Sequence, residues 1–413
     1  MFASRTNWRF DPNLLARALQ RHRQSGQALL DLTASNPTTC GFAYPQQEIL
    51  SAFSDPGALI YSPESKGLPE ARAAVAEYYR GRSGFAGAGA AAPGKGAAID
   101  PERIVLLSGT SEGYSHLFRL LCEAGDEILV PAPSYPLFEF LADLNDVRLV
   151  TYPLIYDYGW HLDLHGLRGA LTGRSRAVVV VHPNNPTGSF VKPGEAAELA
   201  KLCAARDVAM VADEVFLDYA AGAAWPATFA LGGTALTFAL SGLSKICALP
   251  QMKLAWMVIS GPEELARAAA ERLEVIADTY LSPGTPVQLA AAKLLELRGP
   301  MQEQIRRRAA ANLAFLDEAL CSKASPLTRL ECEGGWYAVL RVPSSGSDEA
   351  LAAQLLERYS VLVHPGHFFN FAQDGFFVVS LITPQREFHE GLQRMRRFFG
   401  DAHPHSSHEN HAA

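Results

Sequence analysis

The sequence predicts an α/β protein: a mostly parallel sheet flanked by helices, with a smaller α+β domain. Three observations predict it. Between residues 101 and 260, short apolar runs alternate with segments of helical pattern. Those runs are continuous rather than alternating, as strands buried on both faces are. After Pro262 the pattern turns helical, then gives way to strands closed by an amphipathic helix. The first region is the βαβ signature of a parallel sheet, the second that of a separate α+β unit.

In chain order, residues 1–45 read as an N-terminal arm that completes the small domain. Residues 46–298 read as the large domain, 299–400 as the small C-terminal domain and 401–413 as a disordered tail. Segment 81–98 is rich in Gly and Ala and reads as a flexible surface loop. The expected strands of the large domain are 104–107, 128–130, 177–181, 208–211, 236–240 and 254–259, with helices over 135–144 and 195–206. Helix then dominates to about residue 322. Strands are expected at 336–342 and 376–381. The last helix has Thr383 as N-cap, Pro384 in its first turn, and Phe388, Leu392, Met395 and Phe399 on one face. The His-rich end, 402–413, reads as a solvated tail.

The chain has 413 residues, 48% apolar and 19% charged, which is enzyme-like composition with ample core. A net charge of −7 argues against a nucleic-acid-binding or anionic-membrane surface. No apolar run approaches the ~20 residues that span a bilayer, and the first ten residues lack the apolar core of a secretory signal. Six cysteines (Cys40, Cys122, Cys203, Cys247, Cys321, Cys332) show no short paired spacing. That argues against a metal site or disulfide framework and fits a reducing cytoplasm.

The chemistry-bearing residues sit at or just past expected strand ends, where α/β sheets bind ligands. They are Ser108-Gly109-Thr110-Ser111, His182-Pro183-Asn184-Asn185-Pro186-Thr187-Gly188, Ala212-Asp213-Glu214 and Ser241-Gly242-Leu243-Ser244-Lys245. Alone, Lys245 reads as a solvated charge, Asp213 as a cap, Asn185 as a turn residue and Ser108–Ser111 as a capped helix. Together they supply an amine for an aldehyde, a carboxylate for a pyridine nitrogen, an amide for a ring hydroxyl and a helix N-terminus for a phosphate.

On these motifs the sequence resembles the pyridoxal 5′-phosphate (PLP)-dependent fold-type I, class I/II aminotransferase family, from about residue 31 to 400. The resemblance implies a PLP-transferase fold and an aminotransferase. Such an enzyme moves an amino group between an amino donor and an oxo acid through a Lys245 Schiff base and the pyridoxamine phosphate form of the cofactor. It implies that Lys245 is catalytic and that Asp213 pairs with the pyridinium nitrogen. It implies that Asn185 holds the ring oxygen, that Tyr135 stacks on the ring, and that Ser108, Gly109, Thr110, Ser111, Ser244 and Lys253 serve the phosphate. Tyr61, in Tyr61-Ser62-Pro63, matches a tyrosine that reaches the neighbouring subunit's phosphate, which implies a homodimer.

Three positions depart from the family. A tyrosine usual three residues after the aspartate is Phe216, which has no donor; the cofactor-linked lysine nitrogen is then expected to hold its proton to higher pH. An arginine fork on the phosphate is Lys253, which loses bidentate geometry; a serine three residues before the lysine is Gly242. The arginine that clamps the substrate carboxylate is Val378, with Arg386 and His367 the nearest basic groups in sequence. A PLP lyase or decarboxylase on the same fold, or a catalytically silent PLP binder, shares Lys245 and Asp213. A PLP-binding transcriptional regulator is disfavoured because the cofactor region begins too early for an N-terminal DNA-binding domain.

Overall fold

A computed structural model of the chain describes residues 1–8, 10–85, 98–222, 226–321, 325–343 and 346–402. The expected loop at 81–98 lies mostly outside the described residues, and the tail from 403 onward lies wholly outside them.

The strands, in chain order, are β1 (Leu30–Asp31), β2 (Ile104–Leu107), β3 (Glu127–Ala132), β4 (Arg148–Tyr156), β5 (Trp160–Leu162), β6 (Ser175–Val181), β7 (Ala209–Asp213), β8 (Thr237–Gly242), β9 (Ala255–Ser260), β10 (Thr328–Arg329), β11 (Tyr337–Arg341), β12 (Val361–Leu362), β13 (His364–Pro365) and β14 (Phe376–Ser380). The large sheet has the order β2-β9-β8-β7-β6-β3-β4-β5. Strands β8, β7, β6, β3 and β4 are mutually parallel, β9 is antiparallel to both β8 and β2, and β5 is antiparallel to β4.

The continuous apolar runs explain the layering. In β6, Val179 and Val181 pack with Leu117 and Phe118 on one face, while Val178 and Val180 pack with Leu199 and Cys203 on the other. Each such buried side chain contributes about 1.5–3 kcal/mol of transfer free energy. Register aligns the strand ends. Val181 pairs with Asp213, Asp213 with Leu240, Gly242 with Ala255, and Ala255 with Leu107. The segments that follow β2, β6, β7 and β8 therefore leave the sheet along one edge.

The smaller sheet, β10-β11-β14-β13, is antiparallel, and β1 pairs in parallel with β12. The N-terminal helix Leu14–Ser25 sends Leu15 and Ala18 into the same core as Leu351, Leu355, Phe388 and Met395. The closing helix runs Gln385–Ala402, so Pro384 immediately precedes it, with its carbonyl accepting the Phe388 N–H at 2.9 Å. The expected helix over 135–144 begins only at Phe138, which leaves Tyr135 in the turn before it. Between the sheets runs the long helix Arg298–Leu320. Its Met301 and Ile305 join an interlayer cluster with Phe216 and Trp336, and its Leu316 lies in the small-sheet core.

Candidate active site

Lys245 is carried on a single helical turn, Leu243–Ile246, that starts where β8 ends. Its Nζ lies 5.0 Å from the Trp336 ring centroid and 5.5 Å from that of Phe216. Burial lowers its pKa from the ordinary lysine value, and the Asp213 carboxylate pulls the other way.

Asp213, the last residue of β7, is buried. It accepts hydrogen bonds from Tyr114 Oη at 3.1 Å and from the Val215 N–H at 3.2 Å. Burial pushes its pKa up to about 6; the two hydrogen bonds and the charge of Lys245 oppose that rise. The His182 N–H donates to the Asp213 carbonyl at 2.8 Å, tying the Asn-Pro loop to the end of β7. His182 Nδ1 accepts from the Val191 N–H at 3.1 Å, and Nε2 donates to the Ala227 carbonyl at 3.0 Å. Burial lowers its pKa to about 4, so this ring is neutral and fully bonded.

Asn185 is buried, and its Oδ1 has no partner among the described residues. A buried amide oxygen left open is unusual unless something else fills the space. Tyr135 is half-buried and lies edge-on to Phe138, with ring centroids 6.2 Å apart. Burial raises its pKa, with further contributions from Asp213 and Tyr337. Beside it, the Ser134 N–H donates to the Phe369 carbonyl at 2.8 Å, a contact from the large-sheet edge to the loop before β14.

The helix Thr110–Leu121 opens directly after β2, with Gly109 as its extended N-cap. Its first N–H groups, at Thr110 and Ser111, have no main-chain acceptor within the helix and form the positive end of the helix dipole, with Gly109 and Ser108 just ahead of them. Glu112 folds back to accept the Ser108 N–H at 2.6 Å. Ser244 is half-exposed beside Lys245. Lys253 is exposed and takes a left-handed conformation, φ 54°, after the turn Pro250–Met252. Tyr61 is 77% exposed and belongs to none of the buried clusters of the single chain. The structure thus joins Lys245, Asp213, Asn185 and Tyr135 around the ends of β6, β7 and β8, with Ser108–Ser111 on the same edge. Lys253 and Tyr61 stay at the surface.

The three departures have physical settings. Phe216 is buried against Trp336 at 5.2 Å and Tyr337 at 6.3 Å, both edge-on. Val378 is wholly buried among Trp160, Leu330, Val339 and Phe369, apolar surroundings in which an unpaired ion would be costly. Of the nearest basic groups, Arg386 is exposed in the first turn of the closing helix, and exposed His367 sits edge-on to Phe368 at 4.6 Å. At Gly242 a Cβ would lie 2.9 Å from both Cα and Cβ of Ala255.

Sequence reasoning missed Tyr114, Trp336, Tyr219, Asp218 and Gln302. Tyr114 had a usable signal. It lies one helical turn after Thr110, on the face of the helix that starts at the Ser-Gly-Thr-Ser loop. Asp218 and Tyr219 follow Asp213 closely but carry no local motif, and Trp336 and Gln302 reach the site from positions far away in sequence. No helix among the described residues is long and apolar enough to cross a membrane. Among the same residues no group of three or more His, Cys, Asp or Glu is placed to hold a metal, and all six cysteines are free.

Residues 27–395 match the family model described as aminotransferase class I and II. A glutamate-pyruvate aminotransferase, AlaA, of Haemophilus influenzae is 26% identical over 392 residues, covering 92% of this chain and 93% of that relative. An aspartate/prephenate aminotransferase of Thermus thermophilus is 29% identical over 404 residues, covering 94% and 95%. Among solved structures, an aminotransferase from Escherichia coli superposes with a TM-score of 0.83 at 25% identity, covering 97% of this chain and 98% of that one. An alanine aminotransferase from Pyrococcus furiosus shares the fold, with a TM-score of 0.85 at 22% identity over 97% of this chain and all of the other.

Proposed function

The chain belongs to the class I and II aminotransferase family, and from that premise we propose how its residues serve the reaction. It is a PLP-dependent aminotransferase of fold type I. PLP supplies an aldehyde that receives the amino group and a ring that takes up electrons released at the donor carbon. The residues fit such a group. A buried carboxylate awaits a cation at Asp213, a buried amide oxygen is open at Asn185, and a lysine amine whose pKa burial lowers lies near the Trp336 and Phe216 rings.

In this reading Lys245 is the catalytic residue. Its amine would hold the cofactor at the aldehyde carbon and, when free, would carry the proton at the donor carbon. Asp213, oriented by Tyr114 and Val215, keeps the ring nitrogen protonated. Asn185 holds the ring oxygen and Tyr135 covers the ring face. Ser108, Gly109, Thr110, Ser111, Ser244 and Lys253 bind the phosphate. Tyr61 comes from a second copy of the chain, in a homodimer. Six free cysteines fit a cytoplasmic enzyme.

Aminotransferases act on amino and oxo compounds; here the donor is one whose carboxylate is not clamped at Val378. The observation that carries the proposal is the juxtaposition of Lys245 and Asp213 on the adjacent ends of β8 and β7. The test is a half-reaction. Given donor alone, from a broad panel of amino acids and amines, the holoenzyme should lose its lysine-bound cofactor absorbance and accumulate pyridoxamine phosphate. Lys245→Ala should abolish both the absorbance and turnover. Elimination or decarboxylation products without pyridoxamine phosphate would overturn the transfer reading.

A further inference from the structure

The helix that carries Lys245 is one turn long, too short to hold its own shape. Its terminal carbonyls also lack helical partners beyond the turn. Something else must fix the lysine's backbone, and the structure shows what does. The Lys245 carbonyl accepts Tyr219 Oη at 2.7 Å as well as the Ala248 N–H at 3.1 Å. The next carbonyl, of Ile246, accepts Gln302 Nε2 at 2.9 Å.

Neither pin belongs to the strand-turn unit that bears the lysine. Tyr219 sits on the chain just after Asp213, and Gln302 on the long helix between the sheets. Gln302 is itself held. Its Nε2 also donates to Asp218 Oδ2 at 2.6 Å, and its Oε1 accepts from Arg306 at 3.3 Å. Asp218 is buried and saturated. Its Oδ1 accepts from Tyr78 Oη at 2.8 Å and from Arg82, and its carbonyl accepts Arg306 Nε at 3.1 Å. One short segment, from Asp213 through Tyr219, thus bears the carboxylate that faces Lys245, one pin directly and the other through Asp218.

We infer that Gln302 and Tyr219 are positioning residues for Lys245, with Asp218 as the buried side chain that orients Gln302. Their hydrogen bonds go to main-chain carbonyls of the lysine turn, so they fix the backbone from which the amine reaches. This rests on the reading of Lys245 as the cofactor-bearing lysine.

The test compares Gln302→Leu, Tyr219→Phe and a control, Asn312→Leu. Asn312 is buried on the same long helix and donates to the Leu381 and Thr383 carbonyls at 2.8 and 2.9 Å, away from the lysine turn. The readouts are the pH titration of the lysine-bound cofactor's visible absorbance and the separate effects on kcat and KM. Gln302→Leu and Tyr219→Phe should each move the titration midpoint by about half a pH unit or more. Each should lower kcat about tenfold and leave KM for the donor within about twofold. Asn312→Leu should lower Tm and leave the midpoint in place. Two positioning variants that lose stability yet titrate and turn over like wild type would make the network merely structural. If Gln302→Leu does not fold, Tyr219→Phe, which removes one hydroxyl, decides the matter. A wild type with no lysine-bound absorbance would instead bring down the reading of Lys245 itself.

Discussion

Asp213 is held in the fold at a free-energy penalty that its partner relieves. Burial raises its carboxyl from an ordinary value near 3.8 to about 6 in the protein alone. A raised carboxyl binds its proton more tightly folded than unfolded, so the penalty is absent below pH 4, grows between 4 and 6, and is full above 6. The shift corresponds to about 3 kcal/mol on the ionised form. Asp213→Asn removes that charge but keeps an oxygen for Tyr114. The cofactor-free variant should therefore be more stable than cofactor-free wild type at pH 7.5, by about 1–3 kcal/mol, with the gap closing near pH 4. Its turnover should fall by about a hundredfold or more. Chemical denaturation at the two pH values, paired with an activity assay, checks both signs. The same residue shows why the site was partly legible in sequence. Asp213, Lys245 and Asn185 lie in local strings that mean little outside this chemistry. Trp336 and Gln302 do not, because what makes them part of the site is a fold that brings Trp336 to Lys245 and Gln302 to Ile246 across long stretches of chain.

At the scale of elements, the end of β8 is set by how closely it approaches β9. Gly242 pairs with Ala255, and any Cβ there would meet the Ala255 backbone and side chain at 2.9 Å and the Leu254 carbonyl at 3.0 Å. The serine that the family resemblance leads one to expect at this place cannot be introduced without parting the two strands, and Lys245 follows three residues later. Gly242→Ser is therefore expected to weaken PLP binding at least about tenfold rather than add a phosphate contact. It should also cost about 1–3 kcal/mol of stability. Spectroscopic titration with PLP and a urea transition would measure the two effects. The strands themselves were legible because β6 contains the unbroken apolar run Ala177–Val181 and β7 the run Ala209–Ala212. Their directions were not. The run in β9 looks the same as that in β8, yet β9 is antiparallel to both neighbours. The nine-residue β4 escaped notice because its outer position, next to edge strand β5, leaves most of its residues partly or fully exposed.

The whole molecule presents an apolar surface that one chain leaves uncovered. Leu59, Ile60 and Tyr61 are exposed, as are Val275, Tyr280 and Leu281 at the far end of the helix Glu263–Tyr280. The two segments are neighbours, since Ser65 Oγ donates to Glu274 Oε1 at 2.9 Å. Single exposed apolar residues are ordinary, but two adjoining clusters are the mark of an interface. In the homodimer proposed above, a second copy seated there would bury this surface and bring Tyr61 to that copy's phosphate-binding residues. Two substitutions separate the contributions. Ile60→Asp places an unpaired charge in the proposed contact, so the chain should sediment as a monomer at micromolar concentration and lose most of its PLP affinity. Tyr61→Phe removes one hydroxyl and keeps the apolar area. It should stay dimeric while binding PLP several-fold more weakly. A wild type that sediments as a fully active monomer would remove the second copy from the site and leave the exposed tyrosine without a role.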